Sequence, residues 1–307
     1  MHTHKRLLAI FFIFLISNVG VVSAVEPDKM KPEEVVAKHL AAIGSPEALA
    51  ASKSRVVLGN AKAISRSNAV RDIAGVAQLA SEGEKVVFAM IFNSTSYPYE
   101  KAGYDGQKMT VALWETSGQR SALAEFLMSQ ETIFKQGLIG GVLSSAWPLL
   151  NIEAKSPKLS YAGMKKVNER QTHELKYSPR KGGGNIQISL FFDAETFQHV
   201  RTEYQYQVSA RMGARPGGLS TKPPELGPAP TTDTGSLTMN RYKLVEEFSD
   251  FKKEGDLTLP HAYKLRLTVD AQSPLLLEWV VNFTQFSFNQ PIDASAFNVS
   301  VSKSASN

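Results

Sequence analysis

Apolar residues recur at every second position over much of this chain, and at helical spacing in only two regions. Val200, Thr202, Tyr204, Tyr206 and Val208 share one face of the segment Gln198 to Ala210, with His199, Arg201, Glu203, Gln205 and Gln207 on the other. Tyr263, Leu265, Leu267 and Val269 likewise oppose Lys264, Arg266 and Thr268. A period of two marks a half-buried strand. Further strands are expected at Arg55 to Ser65, Ala74 to Ala80, Lys85 to Phe92, Tyr99 to Tyr104 and Lys108 to Leu113. Others follow at Lys165 to Val167, Thr172 to Tyr177, Ile186 to Phe192, Leu237 to Phe248 and Leu275 to Phe288, the last being the longest candidate. Gly59 predicts a bend in its strand. Glu82-Gly83-Glu84 turns one hairpin. Asp105-Gly106 predicts another through a type I′ turn, which needs positive φ at both central residues. Phe297 to Val301 closes the fold.

Helical spacing appears first at Val35, Val36, His39, Leu40 and Ile43, opened by Pro32, Glu33 and Glu34 and stopped by Gly44. Ser45 caps a second short helix that begins at Pro46 and turns Leu49 inward. The other region is Ser121 to Phe134, with Leu123, Phe126, Leu127 and Phe134 near helical spacing. An apolar, glycine-rich stretch from Gly137 to Trp147 follows, and Pro148 halts any helix there. So many strands against two helical segments, near 32–52 and 119–150, predict a mainly β fold with some α (α+β). The architecture expected is a curved antiparallel half-barrel sheet with the helices over its apolar face. Residues 212–235, rich in Pro and Gly, read as a flexible insertion.

The first 24 residues have the pattern of a cleavable export signal. Lys5 and Arg6 precede an apolar run from Leu7 to Ile16, and Val22 and Ala24 supply the small residues that predict cleavage after Ala24. That run is short of the roughly 20 residues a membrane span needs. The expectation is therefore a periplasmic protein, one domain over 25–307, that is not an integral membrane protein after cleavage. Losing Lys5 and Arg6 lowers the net charge from +5 to +3. These charges are interspersed, with no basic block, so no nucleic acid is expected as a partner. With no cysteine, packing alone must hold the fold.

Familiar chemistry is missing. There is no GxSxG elbow, no HExxH spacing among His39, His173, His199 and His261, and no calcium loop around Glu246, Glu247 and Asp250. The glycine run Gly182 to Gly184 lacks the ending of a phosphate loop. No enzyme activity, cofactor or metal is expected, and His199 is placed on the polar face of its strand. What remains is bulky apolar surface: Phe88, Phe92, Trp114, Phe126, Phe134, Trp147, Phe192, Trp279 and Phe283. Such residues usually fill a core. In a half-barrel they can instead line a cavity for an acyl chain, with Gly137 to Trp147 as a mobile cover.

Several phrases resemble the outer-membrane lipoprotein-sorting (LolA-like) family. Ala41-Ala-Ile-Gly44 followed by Pro46-Glu-Ala-Leu49 is similar to that family's opening helix. Phe192-Asp-Ala-Glu-Thr-Phe197 followed by Val200-Arg-Thr-Glu203 resembles its strand–turn–strand phrase. Phe248-Ser-Asp-Phe251, Gly255 and Leu259-Pro260 resemble a hairpin of the family, and Phe297 matches its closing phenylalanine. The resemblance implies an unclosed antiparallel half-barrel with helices over its mouth, binding a lipid or lipoprotein acyl chain. Its expected function is a non-enzymatic periplasmic carrier or sensor of that hydrophobic ligand, with an envelope protein as a further partner. Two rivals are an envelope interaction module with a filled core, and a hydrolase whose site the sequence does not show.

Overall fold

The computed structural model describes residues 30–300 apart from 66–70, 116, 181, 212–236 and 272–273. The expected export signal and the expected 212–235 insertion lie outside the described residues. Helix α1 (Pro32–Ile43) carries Glu33 and Glu34 in its first turn and buries Val35, Val36, His39 and Ile43. The Gly44 N–H closes it on the Leu40 carbonyl at 3.2 Å. Ser45 starts α2 (Pro46–Ala51), its Oγ accepting the Ala48 N–H at 3.2 Å.

Twelve strands then build one sheet. The first five are β1 (Ser54–Ser65), β2 (Arg71–Glu82), β3 (Lys85–Phe92), β4 (Tyr99–Tyr104) and β5 (Met109–Val111). Three short helices follow, α3 (Ala122–Ser129), α4 (Thr132–Lys135) and α5 (Ile152–Lys155). The remaining strands are β6 (Lys158–Val167), β7 (Arg170–Ser178), β8 (Gln187–Asp193), β9 (His199–Arg211), β10 (Leu237–Glu254), β11 (Leu257–Asp270) and β12 (Leu275–Phe288). The order across the sheet is β5-β4-β3-β2-β1-β12-β11-β10-β9-β8-β7-β6, every neighbour antiparallel. The sheet is open and curved, the half-barrel that the sequence predicts. Its edges are β5 and β6, which are consecutive in the chain. The segment that joins them therefore spans from one edge to the other.

Bulges help the sheet curl. Register shifts fall at Leu58/Gly59, Tyr161/Gly163 and Phe191/Phe192. The bend expected at Gly59 is the first of these, and a Cβ there would collide with the Asn282 carbonyl of β12. Alternation decides which face is buried. Val57, Leu79, Phe88, Leu244, Tyr263, Leu265, Trp279 and Val281 point inward and are at most 2% exposed.

Three expectations are corrected. The longest strand is β10, with 18 residues against 14 for β12. The helix expected over Ser121 to Phe134 breaks at Gln130 into α3 and α4. The Asp105-Gly106 hairpin forms between β4 and β5, but not through a type I′ turn. Gly106 has φ 95°, and Asp105 is not in the positive region. The Asp105 carboxylate instead accepts the N–H groups of Gln107 and Lys108, both at 2.8 Å, which stabilises a longer turn.

Phe297 closes the fold from outside. It ends a single 3₁₀ turn (Ala294–Phe297), is fully buried against Ala80 and Val87 on the convex face, and lies 5.7 Å under the Lys85 ammonium. Truncating a fully buried phenylalanine costs roughly 3–5 kcal/mol. Phe297→Ala is expected to lower unfolding stability by about 3 kcal/mol in urea titration. A loss under about 1 kcal/mol would mean that this outer clamp is dispensable.

Candidate functional site

The concave face is occupied by the chain that joins the sheet's two edges. Ser121 begins it, its Oγ accepting the Ala124 N–H at 3.0 Å to cap α3. After α4 the chain crosses the hollow as tight turns. Gly140 and Gly141 have φ of 75° and 49°, a region that favours glycine. They let the chain fold into a 3₁₀ turn (Gly141–Leu143) pressed against the sheet. A second 3₁₀ turn (Pro148–Asn151) follows, started by Pro148. Leu138, Ile139, Val142, Leu143 and Trp147 are at most 1% exposed.

A main chain laid on an apolar face must still satisfy its polar groups. Three buried side chains of the surrounding framework, Glu246, Arg55 and Ser81, do this, and two more, His39 and Glu100, hold side chains of the same segment. Glu246 of β10 accepts the Gly140 N–H at 2.7 Å, the Tyr263 hydroxyl at 2.9 Å and the Tyr204 hydroxyl at 2.6 Å. Arg55 of β1 donates from Nη1 to the Val142 carbonyl at 2.5 Å and from Nε to Ser52 Oγ at 2.9 Å. Ser81 of β2 accepts the Ser145 N–H at 2.8 Å. His39 of α1 accepts the Trp147 indole N–H on Nε2 at 3.2 Å, while its Nδ1–H reaches the Phe197 carbonyl at 3.0 Å. Glu100 of β4 accepts the Tyr97 hydroxyl at 2.5 Å and the Ser121 hydroxyl, so it holds the residue that caps α3. The Trp279 indole donates to Tyr97 at 2.9 Å and extends this second network.

Burial sets the charge of these groups. It raises the carboxyls of Glu246 and Glu100 to about 7, because the hydroxyl and amide donors around them do not offset the lost water. Burial lowers His39 to about 4 and holds His199 well below its ordinary value. Burial also lowers Arg55 to about 10. Among the described residues, no group of three or more His, Asp and Glu side chains is placed to hold a metal ion.

The aromatic residues picked out by sequence converge in the interior, with one exception. Phe88, Phe126, Phe134, Trp147, Phe192, Trp279 and Phe283 are at most 1% exposed and Phe92 is 5% exposed. At that burial they adjoin almost no water-sized space. They pack against the cover, the helices and one another rather than around an open hollow. Trp279 also lines a small apolar cleft of about 170 Å³ with Ala63, Ile73, Tyr97 and Leu277. Trp114 stands apart near edge strand β5, half-buried, its indole donating to the Tyr99 carbonyl at 3.0 Å. A larger cleft of about 820 Å³ lies between α1, α2 and the tip of the β10–β11 hairpin, and none of the nine residues lines it.

His199 is corrected. It is fully buried on the inner face, stacked on Trp147 at 4.6 Å, with Nε2 2.9 Å from Thr202 Oγ1. The Phe191/Phe192 bulge is the reason: Phe191 pairs with Arg201 and Phe192 with His199, so Val200 is the extra residue and His199 turns inward with Thr202. His39 and His173 are buried as well. Sequence reasoning missed Glu246, Arg55, Ser81 and Glu100. Glu246 was within reach of it, because Leu244, Glu246 and Phe248 alternate on the apolar face.

No family model matches the chain, and no curated protein matches it. Solved structures do. The chain is similar to a LolA superfamily protein from Nitrosomonas europaea at 10% identity, over 88% of this chain and 98% of that one, with a TM-score of 0.44. It is similar to a domain from Vibrio parahaemolyticus that bears an outer membrane lipoprotein-sorting description, at 11% identity over 86% and 95% of the two chains, with a TM-score of 0.42. A DUF1329 family protein from Desulfovibrio piger matches at 9% identity over 88% and 98%, with a TM-score of 0.39. The first two are of the kind that the sequence phrases resemble. The half-barrel itself is established by the strand pairing.

The shifted groups define a pH test. Glu246 is raised from 4.5 to about 7, so its contribution to stability is full below pH 4.5 and is lost as pH rises through 7. Measured against Glu246→Gln, the native chain should lose about 3 kcal/mol across that window in denaturant titrations. His39 acts in the opposite sense: its neutral form is favoured, and stability falls as pH drops from 6.5 towards 4. A stability gap between native and Glu246→Gln that stays constant from pH 4.5 to 8 would overturn the assignment of Glu246.

Proposed function

We propose that this chain is an envelope binding module whose concave face takes the acyl chain of a lipid or lipoprotein when residues 137–147 lift away. One observation carries the reading. The cover of an aromatic trough is fastened to the surrounding framework through a short row of polar contacts, at Gly140, Val142, Ser145 and Trp147. The export signal expected at the N-terminus supports a periplasmic location. Among the described residues no helix is long and apolar enough to cross a membrane.

Magnitudes favour an exchange. Lifting the cover re-exposes Leu138, Ile139, Val142, Leu143 and Trp147, at roughly 1.5–3 kcal/mol each, or about 10 kcal/mol together. A hydrocarbon chain of about 16 carbons gains about 12 kcal/mol on leaving water. Cover and ligand are matched closely enough for either to replace the other. Opening without a ligand would leave a large apolar patch in water, which soluble proteins avoid. The tight packing of Phe88, Trp147 and Trp279 favours a second reading, an interaction module with a permanently filled core that works through its surface.

A fluorescent fatty acid and native mass spectrometry separate the two. Acyl binding predicts saturable uptake and a lipid-bearing mass from an envelope extract. Trp147→Ala, which loosens the cover and leaves the trough intact, should tighten uptake about tenfold because less free energy is spent on opening. A clean apo mass together with no uptake by either protein would leave the filled-core module as the answer.

A further inference from the structure

The groups that hold the cover read its main chain. Glu246 takes the N–H of Gly140, Arg55 gives to the C=O of Val142, and Ser81 takes the N–H of Ser145. The trough also selects by shape around these contacts. A Cβ on Gly140 would collide with the Leu79 side chain, and one on Gly141 would stand 2.8 Å from His199 Nδ1 and 3.0 Å from Phe248 Cζ. On either side the aliphatic side chains of Leu138, Ile139, Val142 and Leu143 are fully enclosed. Two buried nitrogens beside the same turn, Arg55 Nη2 and His199 Nδ1, have no hydrogen-bond partner. The floor thus offers an acceptor, a donor and a second acceptor in chain order, with room for two adjacent glycines and pockets for aliphatic neighbours.

A hydrocarbon can cover the aromatic floor but offers no N–H to Glu246 and no C=O to Arg55. Lifting the cover for a hydrocarbon alone would leave Glu246 and Arg55 each short of one buried partner, which is costly. A peptide restores each contact. We propose that the trough is a peptide-binding site, occupied in cis by residues 137–147, and that its ligand in trans is an apolar peptide segment carrying Gly-Gly followed by aliphatic residues, held through its main chain. This shares with the reading above the step in which the cover leaves the trough. It does not depend on an acyl ligand.

The probe is a synthetic peptide of residues 137–147 with a solubilising lysine tail, and a control in which the two glycines matching Gly140 and Gly141 are valines. Hydrogen–deuterium exchange of the full, unmodified chain comes first. Excess peptide should speed exchange within residues 137–147, and the valine control should not. Fluorescence anisotropy with the labelled peptide comes second. Gly140→Val, which prevents the cover from seating, should bind it at least about tenfold more tightly than the native chain. Adding Glu246→Ala should remove about tenfold of that affinity, the effect of one lost buried hydrogen bond. If Gly140→Val fails to fold by circular dichroism, Trp147→Ala takes its place and the exchange measurement stands by itself. Equal binding of the valine control, equal affinity of native and cover-displaced chains, or no change in exchange would each overturn the proposal. Saturable fatty-acid uptake without peptide binding would refute the peptide site and leave the acyl reading standing. Peptide binding without fatty-acid uptake would do the reverse.

Discussion

The structure depends on one constraint: the chain that joins the two edges of an open sheet must cross that sheet's apolar hollow with its own polar groups satisfied. β5 and β6 are neighbours in the chain and lie at opposite edges of the sheet. The crossing segment cannot pair as a further strand, because its path runs over the concave face. Its amides and carbonyls must therefore find side chains there, since a buried unpaired backbone group costs as much as a lost hydrogen bond. Glu246 meets this need most completely, with a backbone amide and two tyrosine hydroxyls converging on one carboxylate.

That arrangement has an electrostatic cost. Among the described residues neither Glu246 nor Glu100 is paired with a cation. Burial alone moves both carboxyls towards neutrality. A glutamine, or a leucine–alanine contact, would stabilise a permanent core at lower cost, because buried ionisable groups seldom improve on well-packed apolar ones. Arg55 repeats the pattern with the opposite sign, buried on a main-chain carbonyl with one nitrogen unpartnered. The hollow is therefore lined by groups able to satisfy a main chain, set among side chains that would suit hydrocarbon.

Much of the fold was legible because alternation is a local signal. The faces of β9 and β11, the bend at Gly59 and the Ser45 cap follow from side-chain chemistry within a few residues. Features that depend on partners across the sheet were not legible. His199 alternates as a polar-face residue, and only the Phe191/Phe192 bulge turns it inward. The break at Gln130, where the backbone leaves helical geometry at φ −127° and ψ 52°, has no local Gly or Pro to announce it. Eight of the nine aromatic candidates lie in the interior, since bulk and apolarity suffice for burial. What they surround was not legible, because whether a hollow is filled depends on where Gly137 to Trp147 comes to rest.

The two buried acids hold the crossing chain at different points. Glu100 grips Ser121, where α3 begins, and Glu246 grips Gly140, where the chain turns across the hollow. Between these points α3 and α4 bury Leu123, Phe126, Leu127, Ile133 and Phe134. That apolar stripe anchors the helices independently of the Gly140 contact, at roughly 1.5–3 kcal/mol per side chain. An opening confined to residues 137–147 would leave it buried, whereas one that included the helices would add its exposure to the cost. Burial raises the Glu246 carboxyl, so water reaching it would favour the ionised form and the state in which Gly140 has left it.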